Sequence, residues 1–188
     1  SLGVGILRDH AVHQRSTPPE MLADLNRHLQ TPGSQGRFIA MAFGVYDTAR
    51  GEFHLANAGF PAPILIRDKR ASVIPIGGLP IGILPDSVYE SVCLRLRPGD
   101  VVVFCSDGIH EQQNALEEEF GVERLIARLT QTCEGSAAEQ IAGRIVQAIS
   151  EHAGDDACRE CRDDQTIVVL RITEVKSARS GNGSENLL

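Results

Sequence analysis

Two acidic clusters are the residues in this chain best suited to chemistry. One is Asp107, within Ser106-Asp107-Gly108-Ile109; the other is Asp163-Asp164, within Asp163-Asp164-Gln165-Thr166. Ser106-Asp107 ends a run of five apolar residues, Val101-Val102-Val103-Phe104-Cys105. Three of the five are β-branched and the turn signal Pro98-Gly99-Asp100 precedes them, so the run reads as a buried strand. A carboxylate at the tip of such a strand is costly unless a cation or several donors pair with it. Gly108 lets the chain turn sharply there and lets another group come close. Two such carboxylates brought together suit a hard divalent cation such as Mg²⁺ or Mn²⁺. The plainer alternative is that Asp107 caps a turn and Asp163-Asp164 is solvated. These residues alone leave both readings open.

The elements that would position the clusters follow from patterning. A helix is expected over residues 17–30: Thr17 is the N-cap, Pro18 suits the first turn and Glu20 completes a capping box. Met21, Leu22, Leu25 and Leu29 then form one apolar stripe. Residues 31–36 read as a loop. Residues 38–45 are continuously apolar and predict a strand buried on both faces, with Asp47-Thr48-Ala49-Arg50-Gly51 as a hairpin connection and residues 52–58 as the partner strand. Further strands are expected over 63–66, 72–76 and 87–96, with turns at Asp68-Lys69-Arg70 and Arg97-Pro98-Gly99-Asp100. Many short strands on tight turns indicate antiparallel sheets rather than βαβ crossovers. Helices are expected over 122–131, carrying Leu125, Ile126 and Leu129, and after a second capping box, Ser136 with Glu139, carrying Ile141, Ile145, Val146 and Ile149. Residues 166–172 predict the last strand. Residues 174–188 are polar or small and read as a disordered tail or linker.

Composition bounds the class. The chain has 188 residues, 42% hydrophobic and 23% charged, which is the size and make-up of one globular domain. A net charge of −7 argues against nucleic acid or anionic membrane as a nonspecific partner. No apolar run approaches the roughly 20 residues of a membrane span. Five cysteines, an odd number, fit a reducing cytoplasm better than a disulfide framework.

Several segments, in their order, resemble the PPM family of metal-dependent serine/threonine protein phosphatases, in its bacterial SpoIIE-like branch. They are Phe38-Ile39-Ala40-Met41-Ala42-Phe43-Gly44-Val45-Tyr46-Asp47, Ala56-Asn57-Ala58-Gly59-Phe60-Pro61-Ala62-Pro63, Leu79-Pro80-Ile81-Gly82-Ile83, Leu96-Arg97-Pro98-Gly99-Asp100, Ser106-Asp107-Gly108-Ile109 with Glu111, Phe120-Gly121, and Asp163-Asp164-Gln165-Thr166. The resemblance implies an α-β-β-α sandwich of two antiparallel sheets flanked by helices, with its first strands missing. It assigns Asp107 and Asp163 as catalytic metal ligands and Asp164 as a further metal-site oxygen. The cofactor it implies is Mn²⁺ or Mg²⁺ in a two-metal centre, which activates water for attack on a phosphoserine or phosphothreonine. The implied substrate is a phosphorylated regulatory protein of the anti-sigma-factor antagonist type, in bacterial partner switching. An upstream sensory or receiver domain is implied for the parent chain, and a homodimer is allowed.

The departures from the pattern are specific. The family's upstream Gly-Asp-bearing strand and its following Gly-His-Gly-like segment do not occur; Gly99-Asp100 and Gly154-Asp155 stand in a turn and a loop. Residues 1–14 resemble the helix that follows those segments. The expectation is therefore an N-terminally shortened phosphatase domain over 1–173, inactive or weakly active by itself, with Phe60 where relatives often carry His and Ser106 where Thr is common. The rival is a noncatalytic PPM-like module that binds a regulatory partner. A third reading, a redox sensor, would use Cys158-Arg159-Glu160-Cys161 beside Asp163; with His152 that segment also has zinc-like spacing but lacks a second Cys pair. His10 and His13 read as surface residues, and Glu117-Glu118-Glu119 as a solvated face. Gly77-Gly78-Leu79-Pro80 reads as a structural turn. His110 is either a proton donor near the site or a polar loop residue.

Overall fold

A computed structural model describes residues 17–30, 36–132, 135–154 and 164–173. The expectations for residues 1–14, for most of the 31–36 loop, for Cys158 and Cys161 and for 174–188 fall outside the described residues, as does Asp163.

Helix α1, Pro18–Leu29, starts where the capping chemistry dictates. The Glu20 carboxylate accepts the Thr17 backbone N–H at 2.7 Å and the Thr17 hydroxyl at 2.9 Å. Met21, Leu22 and Leu25 are buried and pack on the outer face of a three-stranded sheet with Ala56, Ala58 and Ile81. That sheet has the order β1-β2-β5, where β1 is Met41–Asp47, β2 is Glu52–Ala58 and β5 is Ser91–Arg95. The second sheet has the order β4-β3-β6-β7, where β3 is Ile64–Arg67, β4 is Arg70–Val73, β6 is Val101–Cys105 and β7 is Ile167–Arg171. Every pairing is antiparallel.

The two sheets meet through Phe53, Leu55, Ile74, Ile76, Leu96, Val102 and Ile172. Phe53 and Phe104 touch edge to face across this layer, with ring centres 6.5 Å apart. On the outer face of the second sheet lie α3, Gly121–Thr132, and α4, Ala138–Ala153. Leu125, Leu129, Ile141, Ile145 and Ile149 bury there against Ile64, Ile66, Val101, Val103 and Cys105. The result is the four-layer α-β-β-α sandwich expected from the sequence, and β6 is buried on both faces.

Several local expectations need correction. Residues 38–45 do not form a strand buried on both faces. The strand begins at Met41, pairs with β2 alone among the described residues, and leaves Phe38 63% and Val45 44% exposed. A sheet edge covers one flank only, which an apolar run cannot reveal. The expected 72–76 strand is shorter and earlier, at Arg70–Val73, because the two-residue turn at Asp68 and Lys69, both at positive φ, pairs Arg67 with Arg70. The 87–96 strand contracts to Ser91–Arg95. The N-cap of α4 is Ala137, with Gln140 accepting its N–H at 2.9 Å. Ser136 is buried instead; its hydroxyl accepts Arg144 at 2.9 Å and its carbonyl accepts Arg171. Val146 is 49% exposed and Ala148 takes the buried position.

At one end of the sandwich Arg67 braces the sheets. It donates to the buried Asp100 carboxylate through Nε at 3.0 Å and Nη2 at 2.5 Å, and to the Arg95 carbonyl of the opposite sheet at 2.7 Å. The candidate residues lie at the other end of β6.

Candidate active site

Strand β6 runs buried from Val101 to Cys105 and emerges at Ser106. The chain then makes a single helical turn, α2, Asp107–His110, where the sequence suggested only a sharp turn. Ile109 and Gly108 anchor that turn in the core, so Asp107 is held on a buried stem with its side chain exposed. Its Oδ1 accepts the Gly108 N–H at 3.0 Å. Among the described residues no cationic side chain forms an ion pair with it. An exposed, rigidly mounted, oxygen-only donor of this kind fits a hard divalent cation.

The second acidic motif arrives beside the first through β7. Cys105 pairs with Ile167, and the contact continues past the strand ends. The Ser106 N–H donates to the Thr166 carbonyl at 3.0 Å, and the Thr166 N–H donates to Ser106 Oγ at 2.9 Å. Ser106 Oγ in turn donates to the Asp164 carbonyl at 3.1 Å. Gln165 crosses to the α2 turn, donating to the Gly108 carbonyl at 3.3 Å and to Gln112 Oε1 at 3.1 Å. Asp107 and the exposed Asp164 thus belong to two segments laced together although 57 positions separate them. Asp163, next in the chain to Asp164, lies outside the described residues.

His110 follows on the same turn. Its Nε2 is enclosed without a hydrogen-bond partner among the described residues. Burial pushes its imidazole below the ordinary histidine value, while the Asp107 and Glu111 carboxylates pull the other way. An enclosed nitrogen on a ring that resists protonation is poorly suited to donate a proton to a leaving group. The packing therefore favours the structural reading of His110. Glu118 and Glu119 border an Asn114-centred turn at the surface: Asn114 Oδ1 accepts the N–H groups of Leu116 and Glu118 at 2.9 and 3.0 Å. Gly78 is structural: a Cβ there would come within 2.3 Å of the Asn57 carbonyl oxygen.

Sequence spacing alone does not mark Ser106 and Gln165 as positioning residues. Their positions within the two motifs were the available signal; their bonds depend on a strand register that sequence spacing does not disclose.

This arrangement of layers is the fold of PP2C-type phosphatase domains. The SiaA-PP2C domain of Pseudomonas aeruginosa superposes with a TM-score of 0.72 at 21% identity, covering 87% of this chain and 65% of that one. The chain also matches the model of the stage II sporulation protein E (SpoIIE) family over residues 2–173, and it belongs to that family. Curated relatives include protein IcfG of Synechocystis, 29% identical over 140 residues, or 74% of this chain and 22% of the relative. Phosphoserine phosphatase RsbU of Bacillus subtilis is 27% identical over 158 residues, 82% of this chain and 45% of RsbU. The chain thus spans less than half the length of either relative. Among the described residues no helix is long and apolar enough to cross a membrane.

Proposed function

We propose that this domain hydrolyses phosphoserine or phosphothreonine on a regulatory protein, with a divalent cation held by Asp107, Asp163 and Asp164. The observation that carries the reading is the lacing of the Asp107 strand end to the 164–166 segment through Ser106, in a chain of the SpoIIE family. The exposed Asp107 carboxylate and the oxygen-only character of the donor set support a hard cation, Mn²⁺ or Mg²⁺. The phosphatase domain of SpoIIE from Bacillus subtilis, presoaked with manganese, shares the fold at a TM-score of 0.57 and 20% identity. RsbX in complex with magnesium shares it at 0.61 and 12%. We extend these to a two-metal centre here.

When bound, such a cation supplies an acidified water and offsets phosphoryl charge. The chain's residues do the rest. Asp107 and Asp163 would hold the cation and Asp164 would offer a further oxygen, while Ser106 and Gln165 keep the two strand ends in register. The finer substrate assignment, an anti-sigma-factor antagonist in bacterial partner switching, goes a step past the likeness to RsbU, which is a phosphoserine phosphatase. The match over residues 2–173 supports reading 1–173 as one domain.

The test uses the full-length natural protein. Mn²⁺ should stimulate phosphate release from a phosphoserine protein, and Asp107→Asn should abolish it. Metal-independent release, or full activity in Asp107→Asn, overturns the ligand assignment. No release under any metal condition overturns the enzyme reading in favour of a noncatalytic partner-binding module.

A further inference from the structure

The face of the three-stranded sheet that carries α1 also carries a group of side chains with no part in the proposed reaction. Residues two apart on a strand share a face, and directly paired residues on neighbouring strands share it too. Glu52 and His54 stand two apart on β2, and His54 pairs with Cys93 on β5. His54 Nε2 lies 3.7 Å from Glu52 Oε2 and 3.8 Å from Cys93 Sγ. The three donor atoms all fall within 4.8 Å of one another.

We propose that Glu52, His54 and Cys93 form a second metal site, for a thiophilic divalent ion of the zinc type. A thiolate, an imidazole nitrogen and a carboxylate oxygen form a donor set typical of Zn²⁺ and unlike the oxygen-only sets chosen by Mg²⁺ or Mn²⁺. The spacing is near that of a tetrahedral centre. Bonds of about 2.0–2.3 Å give donor-to-donor edges of roughly 3.3–3.7 Å. Two observed edges are at or just above that range, and the third is no longer than 4.8 Å. His54 is 43% and Glu52 31% exposed, and Cys93 is exposed, so the site has an entry path and leaves the fourth position to water. On binding, the Cys93 thiol loses its proton to solvent and its sulfur bonds the ion; His54 contributes a neutral lone pair. One thiolate and one carboxylate then balance the 2+ charge. Asp47 and Arg95 flank Glu52 at the same register position, and Asp47 Oδ1 already accepts the Ala49 and Arg50 N–H groups. The ion would fasten edge strand β5 to β2 at a place remote in kind from the acidic site.

Cobalt(II) is the probe, because a thiolate ligand gives it a near-ultraviolet charge-transfer band. The protein should be untagged and should carry Cys133→Ser, Cys158→Ser and Cys161→Ser, leaving Cys93 and the buried Cys105 as its thiols. One equivalent of Co²⁺ should develop the band, and Zn²⁺ should displace it. Cys93→Ser should remove the band, His54→Gln should weaken binding at least tenfold, and Asp107→Asn should leave it unchanged. No band in the parent background overturns the proposal, as does a band that survives Cys93→Ser. Because His54→Gln keeps all thiols, unchanged affinity in that variant also overturns it. None of these three outcomes bears on the phosphatase reading.

Discussion

Replacing Ser106 with alanine separates positioning from ligation at the acidic site. The hydroxyl accepts the Thr166 N–H at 2.9 Å and donates to the Asp164 carbonyl at 3.1 Å. Two neutral hydrogen bonds contribute about 0.5–1.5 kcal/mol each. Ser106 is only partly buried, so water replaces some of that and the loss should be about 1 kcal/mol. For a domain of this size that is a fall of about 2–4 °C in Tm. The backbone bond from the Ser106 N–H to Thr166 remains, so the fold survives. The functional loss should be larger than the stability loss, because the hydroxyl holds the backbone that carries the acidic pair. Outer partners of metal ligands typically contribute about 10–100-fold in affinity or activity. The assay is Mn²⁺-dependent phosphate release by the full-length protein, beside thermal unfolding of this domain. Ser106→Ala should raise the Mn²⁺ concentration for half-maximal rate at least tenfold, and Ser106→Thr, which keeps the oxygen, should restore it. An unchanged Mn²⁺ dependence with the expected Tm loss would make Ser106 a fold tie only and refute the positioning argument.

Three further outcomes are expected. Asp100→Ala strands the Arg67 guanidinium; breaking a buried pair costs about 3–5 kcal/mol, and with Arg67 29% exposed about 2–3 kcal/mol should be lost in urea unfolding, with turnover of the folded protein unchanged. In EDTA, stability should fall as pH drops through the window below 6.5, because the unfolded chain binds the proton that the half-buried His110 resists; His110→Gln should flatten that part of the profile. Burial pushes the Cys105 thiol up to about 12, so iodoacetamide near pH 8 should label Cys93 and spare Cys105 on peptide mapping, and equal labelling would contradict the packing.

What could be read from the sequence was what short-range chemistry decides. The Thr17–Glu20 cap, the Asp47–Gly51 hairpin and the Val101–Cys105 strand each depend on neighbours within a few residues, and each stands where expected. The motif around Asp107 was legible for the same reason. Residues 38–45 were misread because whether a strand has one neighbour or two is decided elsewhere in the chain. The α4 cap moved one place because distant Arg171, with Arg144, claimed Ser136. Glu52 and His54 share a face by simple alternation, yet nothing local announces that Cys93 is their neighbour; only the β2–β5 register does.

Register also explains why the acidic site needs polar fasteners. A strand with one apolar and one polar face resists a one-residue slip, since the slip would expose its whole core side. Strands β6 and β7 lack that protection: Val101-Val102-Val103-Phe104-Cys105 and Ile167-Val168-Val169-Leu170 are apolar on both faces. Their alignment must therefore be set at the ends. At one end the Ile172 N–H donates to the Asp100 carbonyl at 2.9 Å and the Gly99 N–H to the Ile172 carbonyl at 2.8 Å, beside the Arg67–Asp100 brace. At the other end the fastener is Ser106 with Thr166 and Asp164. A slip of one residue would carry the second motif about 3.3 Å along the strand, further than a magnesium–oxygen bond of about 2.0–2.1 Å can follow. The bonds that fix the register of the buried pair are thus the same bonds that would hold the two acidic motifs within reach of one cation.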